Sequence, residues 1–261
     1  MGWFDRVNVF SFGKGNKVNI SQKNTINGEI VIDNNCQNIS IENGIVLVDG
    51  IDITENLSKY KDINITIVVN GSVENINAKS NVTLKVNGDI QSSISLDSGN
   101  ITAKSINGDV AINERGYVNT QDMMGNISLI NDGSVDITND LHGNISTHTG
   151  DVNLYGTVDG SISIESGDIS ANDVSGNITI GKGDLSCSDI RGSVNVSSGD
   201  VSCGDVTGNI GLGNGDISCD DVGGSITLGT GDINCDDVGG YIEVKVGDVD
   251  CGDVGEYLKK G

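Results

Sequence analysis

The sequence holds no proline, two histidines and only 3% aromatic residues. An ordinary globular core takes much of its buried area from aromatic rings. So sparse a supply excludes a thick compact core and requires a thin one that small aliphatic side chains can fill. No run approaches the roughly 20 apolar residues of a membrane-spanning helix. Residues 1–16 contain no long apolar stretch and no small-residue cleavage site, so no secretory signal is expected. The chain is therefore read as cytoplasmic, with its six cysteines as thiols rather than bridges. The Asn-x-Ser/Thr triplets at Asn64, Asn100, Asn126, Asn144 and Asn177 follow from a repeated strand phrase and are not expected to carry sugar. Basic residues are few, 15 Lys and Arg against 37 Asp and Glu, and the net charge of -22 argues against direct binding to nucleic-acid phosphates.

What the sequence does have is glycine in register. Gly150, Gly167, Gly183, Gly199, Gly215, Gly231 and Gly247 each precede Asp, at a spacing of 17 and then five of 16. Gly99, Gly116 and Gly133 extend that frame upstream at 17, while Gly88 to Gly99 is only 11 and suggests a short coil or an irregular joint. A fixed period of this length marks a repeat architecture. In the coil from Gly183 the apolar residues are Leu185, Cys187, Ile190, Val194 and Val196. Gaps of two are one face of a strand, and the gap of three is a corner. Each coil is then a short strand (185–187), a corner, and a second extended stretch (190–196) with a bend expected at Gly192. The 17-residue coils often carry their extra residue in the first corner: Val158 lies eight after Gly150, whereas Ile190 lies seven after Gly183. A single coil cannot bury its own apolar face, but a stack can. Ile169, Leu185, Val201, Ile217, Ile233 and Val249 make one inward column. Val174, Ile190, Val206, Val222, Val238 and Val254 make another, and such β-branched ladders suit strands. The expected fold is all-β: a single-stranded parallel β-solenoid of 16–17-residue coils, right-handed by the rule for parallel crossovers.

Four segments follow. Residues 1–16 carry Trp3, Phe4, Phe10 and Phe12 and read as an aromatic cap or anchor, with Trp3, Phe4, Val7 and Phe10 on one face if the segment is helical. As an amphipathic anchor, residues 1–12 would touch a membrane or a partner. Residues 17–98 are expected to form an irregular β head or first coils, with strands joined by Asn43-Gly44 and Asp49-Gly50 turns. Residues 99–255 are the regular solenoid. Residues 256–261, where Glu-Tyr-Leu-Lys-Lys replaces the repeat phrase, form a C-terminal cap.

The chemistry-bearing columns come next. Cys187, Cys203, Cys219, Cys235 and Cys251 lie sixteen apart, and stacked thiols are ligands for soft metals. The same column holds Ala171 and Leu154, however, so cysteine there reads as core filler. Bridges between successive rungs are not expected, because in-register side chains do not aim at each other. Two aspartate columns carry the calcium alternative. Asp184, Asp200, Asp216 and Asp232 stand in one, and Asp189, Asp205, Asp221 and Asp237 in the other. Aspartate also serves corners by bonding to backbone amides, and the nine-residue calcium β-roll repeat is absent. No other cofactor is implied. His142 and His148 lie in one coil with no thiol, Ser or carboxylate motif around them in a recognisable order, and no P-loop, zinc or nucleophile-elbow signature occurs.

Ser166-Gly-Asp-Ile-Ser-Ala-Asn-Asp-Val-Ser-Gly-Asn-Ile-Thr-Ile180 resembles the bacterial GIN-type adhesin β-strand repeat family, over roughly the last 160 residues. In fold type the chain is also similar to the bactofilins, cytoskeletal β-solenoids that polymerise end to end, without their long tails. Neither resemblance brings catalytic residues. The expected function is that of a non-enzymatic scaffold, self-assembling through its rod ends. The alternative is an acidic binding module, engaging a partner protein as a DNA mimic or binding calcium.

Overall fold

The computed structural model describes residues 7–12, 16–21, 28–32, 36–42, 45–52, 65–79 and 81–261. Among these there is no helix, and the chain is a parallel β-solenoid of stacked 16–17-residue coils. It divides into two compact units, Met1–Asn131 and Asp132–Gly261.

In the second unit each regular coil has three sides. One coil shows the plan: a short strand Ile217–Ser218, a lone bridge residue Val222, and a long strand Ile226–Thr230. Their partners one coil on are Ile233, Val238 and Ile242, each sixteen residues away. Alternation places Ile226 and Leu228 fully inside while Thr227 faces out, as the pleat requires. The extended stretch expected over 190–196 is in fact two sides: Ile190 bridges alone, the chain bends at Arg191-Gly192, and Val194–Ser198 forms the long strand.

The shift from 17 to 16 residues is localised. Val152 pairs with Ile169, seventeen on, and Ile169 with Leu185, sixteen on. Leu154 is four residues before the bridge residue Val158, whereas Ala171 is three before Val174. The extra residue therefore sits in the first corner, as the sequence indicated, and Tyr155 projects there with 64% of its surface exposed. Both flanking strands keep their register because the insertion is absorbed outside the ladder.

The glycine before each Asp has two constraints at once. Gly215 has φ of 135°, and a Cβ there would lie 2.0 Å from the Gly199 carbonyl oxygen in the coil below. The backbone passes so close to its own previous turn that only glycine fits, and only glycine adopts that φ readily.

The expected C-terminal cap is one more rung. Leu258–Lys260 pairs in parallel with Ile242–Val244, and the Tyr257 ring stacks on Tyr241 with centroids 5.0 Å apart. Lys259 Nζ reaches Glu243 Oε1 at 3.3 Å.

In the first unit the frame extends upstream of Gly99. Ile65 pairs with Val82, Val82 with Gly99, and Gly99 with Gly116, each seventeen apart. Gly88 belongs to a different column, its N–H donating to the Gly71 carbonyl at 3.0 Å, so no short coil exists between Gly88 and Gly99. Before this stack, Gly28 pairs in parallel with Ile65 and Cys36 with Val73, both 37 residues on. The surplus of that long coil is partly a hairpin. Cys36–Glu42 runs antiparallel to Ile45–Val48, which turns through Asp49-Gly50 to Ile51–Asp52. Asp49 and Gly50 have φ of 49° and 78°, the positive pair that a two-residue hairpin turn of the primed type needs. Val7–Phe12 and Asn16–Ser21 pair antiparallel, and Asn16–Ser21 continues antiparallel onto Gly28–Ile32. The helical face proposed through Val7 and Phe10 is thus a strand. Its β-branched Val7 and Val9 favour strand pairing over helix. Met1–Arg6 and Asn43-Gly44 lie outside the described residues.

Candidate functional site

The eight aspartates singled out as calcium candidates stand in two ladders along the second unit. Each carboxylate is already engaged. Asp200 N–H donates to Asp184 Oδ1 at 2.8 Å, Asp216 N–H to Asp200 Oδ1 at 2.9 Å, and Asp232 N–H to Asp216 Oδ1 at 2.8 Å. In the second ladder Asp205 N–H donates to Asp189 Oδ1 at 3.0 Å, Asp221 N–H to Asp205 Oδ1 at 3.1 Å, and Asp237 N–H to Asp221 Oδ1 at 3.0 Å. The same residues accept through their carbonyls, for example Ile217 N–H to Asp232 O at 2.9 Å. Each aspartate therefore ties its corner to both neighbouring coils. Among the described residues, no three His, Cys, Asp or Glu side chains are grouped so as to hold a metal ion.

A third ladder occupies the remaining corner, and the sequence reading passed over it. Ser193 N–H donates to Asn177 Oδ1 at 2.8 Å, Asn209 N–H to Ser193 Oγ at 3.1 Å, Ser225 N–H to Asn209 Oδ1 at 2.8 Å, and Tyr241 N–H to Ser225 Oγ at 3.1 Å. Asparagine and serine alternate down this column at the coil period, which was the available signal. All three corners thus use one device: a short polar side chain accepts the next coil's amide. Among the described residues no buried side-chain nitrogen or oxygen lacks a partner.

The cysteine column departs from expectation. Cys235 and Cys251 are joined in a disulfide, with Cα atoms 4.8 Å apart. The rung spacing of a parallel ladder itself lies within the Cα window of a disulfide, and the column stands at the first corner, where a side chain can turn along the stack. In-register stacking therefore does not forbid the bridge. Within the column Leu154, Ala171, Cys219 and Cys235 are buried, while Cys187 and Cys203 are half-buried. Filling the rim of the core is thus one part of its role. The Cys187 thiol donates to the Asn172 carbonyl at 2.9 Å, and burial, with Asp173 and Asp189 nearby, pushes it up to about 12. The Cys203 and Cys219 thiols act on each other, which raises Cys203 and lowers Cys219. Cys36 is elsewhere, buried opposite Val73, and burial pushes it up to about 12.

The two histidines each face an acid one coil on: His142 Nδ1 lies 3.7 Å from Asp159 Oδ2, and His148 Nδ1 lies 2.5 Å from Glu165 Oε2. Both pairs are exposed. On the short-strand side a shallow groove of about 460 Å3 has Ser170, Ser186 and Ser202 along it, with Asp168, Asp184 and Asp200 beside them.

No family model, curated protein or solved structure matches the chain. No helix among the described residues is long and apolar enough to cross a membrane.

Proposed function

We propose that the protein is a non-enzymatic scaffold that presents a rigid, acidic, repetitive surface and self-associates. The observation that carries this reading is the set of three corner ladders. They commit the short polar side chains of each coil to holding the next coil, so the acidic surface has a fixed spacing set by the backbone. Self-association draws support from Val246, Tyr257 and Leu258, whose exposures are 63%, 47% and 45% in the last two coils. Light scattering and negative-stain microscopy across a concentration series test it. Oligomers or filaments that grow with concentration are expected, and a strictly monomeric particle at high concentration removes the self-assembling form.

A second reading is an acidic binding module, and charge spacing favours it. Residues 215–246 are two coils holding Asp216, Asp220, Asp221, Asp232, Asp236, Asp237 and Glu243 against Lys245, a net of six negative charges. At about 4.8 Å per coil this is one charge per roughly 1.6 Å, close to the roughly 1.7 Å of duplex DNA. A DNA-mimic role predicts that a basic DNA-binding protein is captured and that duplex DNA competes for it. A calcium role predicts a rise in melting temperature with calcium above that given by sodium at equal ionic strength. If neither occurs, this reading is removed.

A further inference from the structure

We infer that the column Cys187, Cys203, Cys219, Cys235 and Cys251 is a linear thiol–disulfide exchange site, along which disulfide bonds migrate from rung to rung and whose substrates are low-molecular-weight organic disulfides and thiols. The inference rests on geometry in the second unit. Cys235 and Cys251 are already bridged with Cα atoms 4.8 Å apart. The rungs above repeat that placement, since Cys203 N–H donates to Ser218 O, Cys219 N–H to Asn234 O and Cys235 N–H to Asp250 O at 3.0, 3.0 and 3.1 Å. Adjacent members from Cys203 to Cys251 therefore meet the Cα criterion for bridging, and the Ser186–Ser202 pairing beside Cys187 and Cys203 carries the same register one coil further. Cys203 and Cys219 share the backbone placement of the bridged pair, so the second bridge needs no rearrangement of the backbone.

The chemistry balances without a metal. Cys203 and Cys219 together give two electrons and two protons to an organic disulfide, which leaves as two thiols while the Cys203–Cys219 bond forms. Exchange then needs no further oxidant. In the state seen here, the Cys219 thiolate attacks Cys235 Sγ. The Cys219–Cys235 bond forms, the Cys235–Cys251 bond breaks, and the electron pair leaves on Cys251, which takes a proton from solvent. Attack on a disulfide sulfur needs nucleophile, central sulfur and leaving sulfur in line, and a column stacked along one axis supplies that order. Lowering of the Cys219 thiol by the neighbouring Cys203 thiol favours it as the nucleophile.

The count of five is consequential. Two bridges leave one thiol over, and the leftover sits on Cys187, Cys219 or Cys251 according to which pairs are joined. Two exchanges carry it from one end to the other, four rungs or about 19 Å.

The test uses the intact protein incubated with oxidised glutathione, then labelled with N-ethylmaleimide and cut before aspartates. Such cutting separates all five column cysteines, because Asp189, Asp205, Asp220 and Asp236 fall between them. Label on Cys36 is counted separately. The expected result is two bridges and a single column thiol whose label is shared among Cys187, Cys219 and Cys251. Label confined to one of these positions, or three column thiols persisting beside Cys235–Cys251, overturns the proposal. A Cys251→Ala variant gives an independent reading, and alanine already occupies this column at Ala171. Migration predicts Cys187–Cys203 and Cys219–Cys235 pairing, with label on Cys235 falling to background. A static column leaves Cys187 and Cys235 fully labelled and overturns the inference.

Discussion

Asp216 Oδ1 accepts the backbone N–H of Asp232 at 2.8 Å, one coil further on. The bond needs an oxygen at that place but not a charge, as Asn209 shows by accepting Ser225 N–H at the same distance in the third ladder. Asp216→Ala is therefore expected to cost about 1 kcal/mol. Asp216→Asn should be neutral or slightly stabilising, since it keeps the acceptor and removes a like charge from the column. Urea denaturation of both variants checks this. Equal damage from the two would mean that the carboxylate charge itself is needed, as it would be at a cation site.

Gly215→Ala should be far worse than Gly211→Ala. At Gly215 a Cβ meets the Gly199 carbonyl at 2.0 Å with φ of 135°, and the cost is expected at roughly 3 kcal/mol or more. At Gly211 the nearest atom is Asn195 Oδ1 at 3.7 Å, so alanine should be neutral or stabilise by up to about 1 kcal/mol. Similar melting temperatures for the two variants would contradict the close-approach account of the repeat glycine.

Salt should stabilise the protein. The carboxylates in each ladder stand one coil apart and repel by on the order of 1 kcal/mol per neighbour pair in water. Raising ionic strength from about 10 mM to about 150 mM shortens the screening length from roughly 30 Å to roughly 8 Å. Melting temperature should climb over that range and climb less in the Asp216→Asn variant. A flat or falling curve would rule out ladder repulsion as a significant destabilising term.

Cys36 should be inert in the native protein. It is buried, and with its thiol pushed up to about 12, little thiolate exists near pH 8. Alkylation there is expected to be roughly three orders of magnitude slower than in the unfolded chain. The rate should rise with pH toward 12, because the thiolate is the reacting form. Rapid native labelling of Cys36 would show that the hairpin beside it opens readily.

Much of this was legible because a solenoid writes its geometry into its period. The Gly-Asp spacing placed Ile217, Val222 and Ile226 in separate inward columns without any long-range inference. Reading gaps between apolar residues also located the corner insertion at Tyr155. The bend at Gly192 was expected, but its making two sides of one stretch was harder to read, since Ile190, Val194 and Val196 all keep even spacing across it and alternation alone does not distinguish one side from two. The frame upstream of Gly99 was hidden because Val82 occupies the glycine position there. The marker disappears there while the pairing of Ile65 with Val82 persists. The disulfide is not legible for a different reason: parallel side chains suggest no bridge, while the short Cα separation that stacking imposes permits one. The function of the aspartate columns was open in the sequence, since a corner staple and a cation ligand demand the same residue.

The sixteen-residue register has a consequence for how such a chain can change in size. Asn195 stands over Gly211, and Gly211 over Thr227, with nothing else required between them. Excising 199–214 would join Ser198 to Gly215 and leave the corner sequence Ser-Gly-Asp, which already occurs at Ser166-Gly167-Asp168. A whole coil is thus a unit of length. Copying or losing one alters reach in equal steps and leaves each aspartate ladder pairing aspartate with aspartate, so a gene of this kind can change length by whole coils with the register kept.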